Sequence, residues 1–376
     1  MSFAADLKNT KYFALFNNNS NSSGFEDCFL FGFLPSQSQG NMNGFFFCNY
    51  DHKNKIEDLT SKKISPLKFE DLIFFESEKK LSLNEFNSLY VTLGNTSCAI
   101  NLNSKTTKAD YIKNVSELKK HIQHGDIYEI NYCITFEAEN VKIDPIAVYQ
   151  KLNSISKAPY SALIKLDDKY IISASPELFL SKRGNKLITK PIKGTAKRGL
   201  TTEEDSKLKN ELLNSLKERT ENVMIVDVSR NDLSRIAKKG TVIVEKLYDI
   251  ETYEQVHQMV STVSCELKEN ISFNDIIRAT FPMASMTGAP KIRAMELIDD
   301  FETNSRGPYS GCMGYIKENG DFDLSVLIRS IFYNESESYL SFSVGSAITA
   351  LCDPEKEYEE CLLKAVAMKK VLEVNY

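Results

Sequence analysis

Four glutamates in two matched pairs are the residues of this 376-residue chain best suited to chemistry. Glu218 and Glu221 stand three apart in KERTENVM, and Glu357 and Glu360 stand three apart in PEKEYEEC. Residues at that spacing share a helix face, so two helices each offering an E-x-x-E pair make an all-oxygen site without histidine, which suits Mg2+ rather than zinc or a di-iron centre. The same spacing describes two solvated helix faces equally well. A second concentration is PIKGTAKRG, from Pro191 to Gly199, where Lys190, Lys193, Lys197 and Arg198 bunch around Gly194. Such a loop can present backbone N–H groups to a carboxylate, and neighbouring like charges lower the pKa of one lysine toward that of a nucleophile. Its plain alternative is a basic surface turn. In TGAPKIRAME, Thr287 and Gly288 precede a helix start that can hold an anion or only water. Tyr309 in RGPYSG and Arg329 in LIRS are candidates to clamp a carboxylate, and His257 in YEQVHQMVSTV reads as a histidine packed among apolar neighbours.

These residues need rigid elements to bring them together. A helical stretch is expected from Thr202, whose hydroxyl caps a first turn carrying Glu203, Glu204 and Asp205. Leu208, Leu212 and Leu216 form its apolar stripe, and the Glu218/Glu221 face lies well away from it. Asp353 as cap and Pro354 in the first turn fix the start of the C-terminal helix that carries the second pair. Between Tyr170 and Gly199, two strand-like runs are divided by Arg183-Gly184-Asn185, which is hairpin chemistry. A turn centred on Gly184 and Asn185 puts Glu177 opposite Ile192, and so beside Lys193. Further strand-like runs (TVIVEKLYDI, SGCMGYI, LSVLIRSIFY, YLSFSVGSAI) alternate with the helix KIRAMELIDD. The first hundred residues read as short strands and loops, with a mobile polar loop from Asn17 to Ser23 and an aromatic cluster at Phe45, Phe46 and Phe47. A polar stretch from Asn101 to Asp110 precedes a helix from Tyr111 to Gln123, ended by Gly125. It marks the boundary between an N-terminal part, residues 1–105, and a working part, residues 106–376.

Composition narrows the function classes. A hydrophobic content of 42% supports a large buried core, and a net charge of -5 leaves no basic surplus for nucleic acid or an anionic membrane. The eight cysteines (Cys28, Cys48, Cys98, Cys133, Cys265, Cys312, Cys352, Cys361) lack any C-x-x-C pair, so they read as reduced packing residues. No signal peptide or membrane span is apparent, and a cytoplasmic location is expected.

Taken in order, the fragments GDIYEINYC, SPELF, PIKGTAKRG, KERTENVMIVDVSRNDLSR, FPMASMTGAPKIRAMELID, RGPYSGCMGYI, the IRS strand, VGSAIT and DPEKEYEECLLKA resemble the chorismate-binding enzyme family from about Tyr111 to Leu372. The resemblance implies an α+β fold: two large, mainly antiparallel β-sheets packed as a sandwich, helices outside, chorismate bound between the sheets. It implies Mg2+ held by Glu218, Glu221, Glu357 and Glu360. Substrate carboxylates are implied near Gly194, Thr195, Thr287, Tyr309, Arg329, Gly345 and Lys364, with His257 facing the ring near the leaving hydroxyl. The PIKGT lysine is similar to the branch that makes 4-amino-4-deoxychorismate, the precursor of p-aminobenzoate and folate; relatives that make anthranilate usually carry alanine there. In that chemistry Lys193 attacks ring carbon 2, Glu177 protonates the departing hydroxyl, and ammonia then enters at carbon 4. The basic neighbours of Lys193, with Mg2+, are expected to help keep its amine neutral, while the adjacent Glu177 pushes the other way; the same neighbours can instead simply bind substrate carboxylates. Water-using relatives have a lysine base at the position of Glu129, which argues against isochorismate formation here. With no glutaminase motif around Cys133 or Cys265, ammonia is expected from solution or from a glutamine amidotransferase subunit. The alternatives are an anthranilate synthase component I or a non-catalytic chorismate sensor. Met283-Ala284 and Gly345-Ser346-Ala347 depart from the family's glycine-rich versions, and no segment matches a tryptophan feedback site.

Overall fold

The computed structural model describes residues 10–19, 27–31, 34–35, 43–76, 79–81, 100–254 and 256–372. Residues 20–23 of the polar loop and Cys98 lie outside them. Two ten-stranded sheets dominate. The first runs in the order Gly288–Ala289, Glu129–Ala138, Tyr339–Ile348, Ser330–Asn334, Lys169–Ser175, Tyr160–Leu166, Tyr12–Asn17, Cys28–Phe31, Lys79–Leu81, with Asn103–Ser104 also on Glu129–Ala138. The second runs Ile192–Lys197, Val256–Glu266, Lys186–Thr189, Leu178–Arg183, Phe322–Val326, Cys312–Ile316, Gly44–Cys48, Leu72–Glu76, Leu34–Pro35, with Ile243–Thr252 also on Val256–Glu266. Every described strand pairing is antiparallel.

The sheets pack face to face through aromatic contacts: Phe16 lies 6.2 Å from Phe45 and 5.6 Å from Tyr315, between ring centroids. Phe45, Phe46 and Phe47 are all buried because their strand is interior, flanked by Cys312–Ile316 and Leu72–Glu76. The N-terminal strands are woven into both sheets. Tyr12–Asn17 pairs with Tyr160–Leu166, Gly44–Cys48 pairs with Cys312–Ile316, and one core cluster runs through both parts.

Local chemistry explains the elements that matter. Thr107 and Asp110 form a reciprocal capping box at the start of the Lys108–His124 helix, and Gly125 ends it in the left-handed region at φ 83°. The hairpin turns on Gly184-Asn185 with Arg183 opposite Lys186, the register expected from the sequence. Two expectations fail around Thr202. The cap is Thr201, whose hydroxyl accepts from the Glu204 N–H at 3.2 Å. The stretch is also two helices, Thr202–Asn214 and Leu216–Ser234, because extended Ser215 ends the first and caps the second. The break disrupts the leucine stripe: Leu212 is buried, whereas Leu216 is 78% exposed.

Candidate active site

Lys193 sits on the Ile192–Lys197 strand and is buried, with its Nζ 2.7 Å from Glu129 Oε1. Glu129 projects from the first residue of the Glu129–Ala138 strand and is 1% exposed. The ion pair therefore ties one sheet to the other. Burial works to lower the lysine pKa, but the carboxylates of Glu129, Glu221 and Glu177 outweigh it, and the net shift is upward. This corrects the expectation of a neutral amine. The basic neighbours do not face Lys193: Lys190 pairs with Glu251 at 3.2 Å, and Arg198 grips Asp205 at 2.7 and 3.0 Å.

Glu177 stands immediately before the Leu178–Arg183 strand, and its Oε1 accepts from the Ile192 N–H at 3.5 Å, as the hairpin count requires. Burial pushes its carboxyl up to about 7, against the opposing pulls of Ser285, the Ile192 N–H and Lys193. A cavity lined by Glu177, Thr189, Pro191 and Ser285 lies beside it. A buried carboxyl that is partly protonated at neutral pH can act as a general acid.

The two E-x-x-E pairs meet as the helix faces require. The Lys217 ammonium lies among them, 2.8 Å from Glu357 Oε1, 3.7 Å from Glu360 Oε2 and 3.8 Å from Glu221 Oε1. No group of three or more His, Cys, Asp or Glu side chains among the described residues is arranged as it stands to hold a metal ion. The donor set nevertheless fits a hard cation. Glu221 Oε1 and Glu357 Oε2 are buried without a hydrogen-bond partner. Burial pushes Glu221 up to about 8 and raises Glu218 and Glu357; at Glu360 burial also works upward, but Lys364 at 2.7 Å leaves the net shift downward. Lys217 occupies the place of a positive charge that this cluster demands. Its signal in the sequence, a lysine four residues before Glu221, is indistinguishable from an ordinary surface helix pair.

Gly194 joins this cluster to the lysine strand. At φ 89°, a Cβ on it would lie 2.9 Å from Glu218 Oε2 and 3.1 Å from Leu212 Cδ1, so only glycine lets the loop approach. Thr195 beside it is exposed. Lys364 Nζ donates to the Gly345 carbonyl at 2.8 Å, and a Cβ on Gly345 would meet Asn131 Oδ1 and Cys133 Sγ at 2.5 Å each. Arg329 donates to the Lys364 carbonyl at 3.1 Å, and no carboxylate among the described residues pairs with it. Buried Tyr309 lies by Cys133, whose Sγ is 3.6 Å from the phenol oxygen. An unpaired guanidinium and a phenol at the end of this cluster can receive an anionic group.

Two expected residues, and the helix start after them, are otherwise engaged. His257 has both ring nitrogens occupied, Nε2 by Asp205 Oδ1 and Nδ1 by Thr252 Oγ1, each at 2.9 Å. Arg198 first, then the Gly199 N–H, hold that aspartate well below the usual carboxylate range, so as placed neither nitrogen is directed at a ring. The Thr287 hydroxyl donates to the Met283 and Ala284 carbonyls at 3.2 and 3.3 Å. At the helix start after Pro290, Lys291 is committed to Asp232 at 2.5 Å rather than to a bound anion.

With this geometry in hand, the comparisons with known proteins are specific. Residues 35–370 match the family described as chorismate binding enzyme. The chloroplastic aminodeoxychorismate synthase of Arabidopsis thaliana is 44% identical over 266 residues, covering 69% of this chain and 28% of that protein. Anthranilate synthase component 1 of Acetivibrio thermocellus is 40% identical over 270 residues, 72% of this chain and 54% of its own. The chain thus spans about a quarter to a half of the length of these relatives. The crystal structure of anthranilate synthase component I from Streptococcus pneumoniae superposes with a TM-score of 0.77 at 24% identity, covering 96% of this chain and 90% of that one, a likeness of fold.

Proposed function

The chain belongs to the chorismate-binding enzyme family, and from that premise we propose that it aminates chorismate at carbon 4, yielding 4-amino-4-deoxychorismate for p-aminobenzoate and folate synthesis. The observation that carries this reading is the buried Lys193, aligned with Glu129 and next to a Glu177 whose pKa lies near 7. Its amine forms a bond to ring carbon 2 as the diene shifts and the carbon 4 hydroxyl leaves with the Glu177 proton. Ammonia then bonds carbon 4, the diene shifts back, and Lys193 departs. Carbon 2 is occupied while ammonia arrives, which directs the nitrogen to carbon 4.

Glu218, Glu221, Glu357 and Glu360 would hold Mg2+, with Lys217 withdrawing. Bound there, the metal would supply Lewis-acid polarisation of the ring carboxylate. Arg329, Tyr309 and Lys364 orient the substrate's anionic groups, and Gly194 keeps the lysine strand against the carboxylate cluster.

Ammonia comes from solution or a separate glutamine amidotransferase. In support, the six cysteines with described side chains are all buried and free, and burial pushes Cys133 upward and Cys265 up to about 11. Neither is a ready thiolate. Amination at carbon 2 is the second reading, favoured by the 40% identity to an anthranilate synthase component. Incubation with chorismate, Mg2+ and ammonium, with the product identified by mass and NMR, decides between them. The proposal expects the 4-amino compound; anthranilate or isochorismate would overturn it.

A further inference from the structure

An ammonium has no lone pair, so a nucleophilic Lys193 must first lose a proton that its surroundings hold in place. Five carboxylates act on it: Glu129 from the Glu129–Ala138 strand, Glu221 and Glu218 from the Leu216–Ser234 helix, Glu177 from the hairpin, and Glu360 from the C-terminal helix, which also carries Lys364 toward Glu177. Among the described residues, only Glu129 is within ion-pair distance of its Nζ, at 2.7 Å. Glu177 is assigned to the leaving hydroxyl, and the E-x-x-E carboxylates face Lys217 and the proposed metal position.

Glu129 is suited to accept the proton. Its Oε2 is buried without a partner. A carboxylate gripped by several donors resists protonation, whereas one holding a single ammonium neutralises together with its partner when the proton crosses. Its backbone is fixed as well, in register with Ala289 at the end of the first sheet. We propose that Glu129 is a catalytic residue, the base that takes the proton of Lys193 and later returns it. This rests on the reading of Lys193 as the nucleophile toward chorismate.

The step balances. The proton passes from Nζ to Glu129 Oε1, and the freed pair bonds carbon 2. The π pairs shift, the carbon 4–oxygen bond breaks, and water leaves with the Glu177 proton. When ammonia bonds carbon 4 the pairs shift back, and the carbon 2–nitrogen bond breaks with its pair returning to Nζ. Glu129 gives Nζ its proton again, and the new ammonium gives one to Glu177.

The test is the rate of Lys193 adduct formation, read by intact mass and peptide mapping after mixing the full chain with chorismate and Mg2+ but no ammonia, across a pH series. Glu129→Gln keeps the shape and removes the base. Near neutral pH its adduct should form about 100-fold more slowly than wild type, and the ratio of the two rates at equal pH should narrow toward one in alkaline buffer, where solvent removes the Lys193 proton and loss of the Glu177 proton slows both chains alike. Glu129→Asp should fall between the two. A narrowed ratio also shows that the variant is folded. A Glu129→Gln rate at or above wild type near neutrality would mean that Glu129 only restrains the lysine, and would overturn the proposal. So would a slow variant whose deficit relative to wild type is the same at alkaline pH as at neutrality. A wild-type chain that makes the 4-amino product without any Lys193 adduct overturns the nucleophile and Glu129 together, while leaving the product assignment standing.

Discussion

Two buried ion pairs in this molecule are built to opposite ends. Arg306 and Glu302 are each 5% exposed, and every polar atom of the pair is used. The five guanidinium N–H groups go to Glu302 Oε1 and Oε2, the Met286 and Asn131 carbonyls and Ser310, and Glu302 Oε1 also accepts from the Cys133 N–H. Lys193–Glu129 and the neighbouring glutamates instead leave Glu129 Oε2, Glu221 Oε1 and Glu357 Oε2 without a hydrogen-bond partner. Buried polar atoms are ordinarily satisfied, so a local concentration of exceptions is what the proposed function expects where substrate and cation would complete the set. On the proposed function, the saturated pair holds the fold and the unsaturated group does chemistry.

The sharpest way to break this contrast is on stability. Arg306→Met should cost about 3–5 kcal/mol in denaturant unfolding, because it strands the partners of five buried hydrogen bonds, while Lys193→Met removes a single ion-pair contact and should cost less than about half of that. Equal losses would erase the distinction. On activity, Glu221→Gln should lower turnover about 1,000-fold with little change in melting temperature, the loss expected when a metal position is emptied. A variant as active as wild type and indifferent to Mg2+ would contradict the assignment. Glu177 is protonated below about 7, so turnover should fall as pH rises through that value; Glu177→Gln should be about 100-fold slower and lose that limb. The smallest effect concerns Lys217. Removing its competing charge by Lys217→Met should tighten Mg2+ binding about tenfold by calorimetry on the substrate-free chain, whereas weaker binding would make Lys217 a helper of the site rather than a stand-in for the cation.

Much of this arrangement is legible in the sequence because it rests on local periodicity. The E-x-x-E spacing puts each glutamate pair on one helix face, and a two-residue turn at Gly184-Asn185 carries Glu177 to Ile192 by counting alone. What sequence reasoning misses is long-range and electrostatic. Lys193 and Glu129 are 64 positions apart and meet only because different sheets face each other. The basic run around Gly194 reads as mutually repelling charge, yet the fold sends Lys190 and Arg198 to separate carboxylates and Lys193 alone inward. The helix break at Ser215 is invisible to a stripe of leucines, since one extended residue leaves the spacing intact and changes the direction.

The central claim is that Lys193 directs the nitrogen to carbon 4, and its most direct measurement is the product distribution of Lys193→Ala beside wild type with chorismate, Mg2+ and ammonium, resolved by NMR. The account predicts that wild type gives 4-amino-4-deoxychorismate, and that the variant loses it, with any residual amination at carbon 2. Undiminished 4-amino product from Lys193→Ala would contradict it.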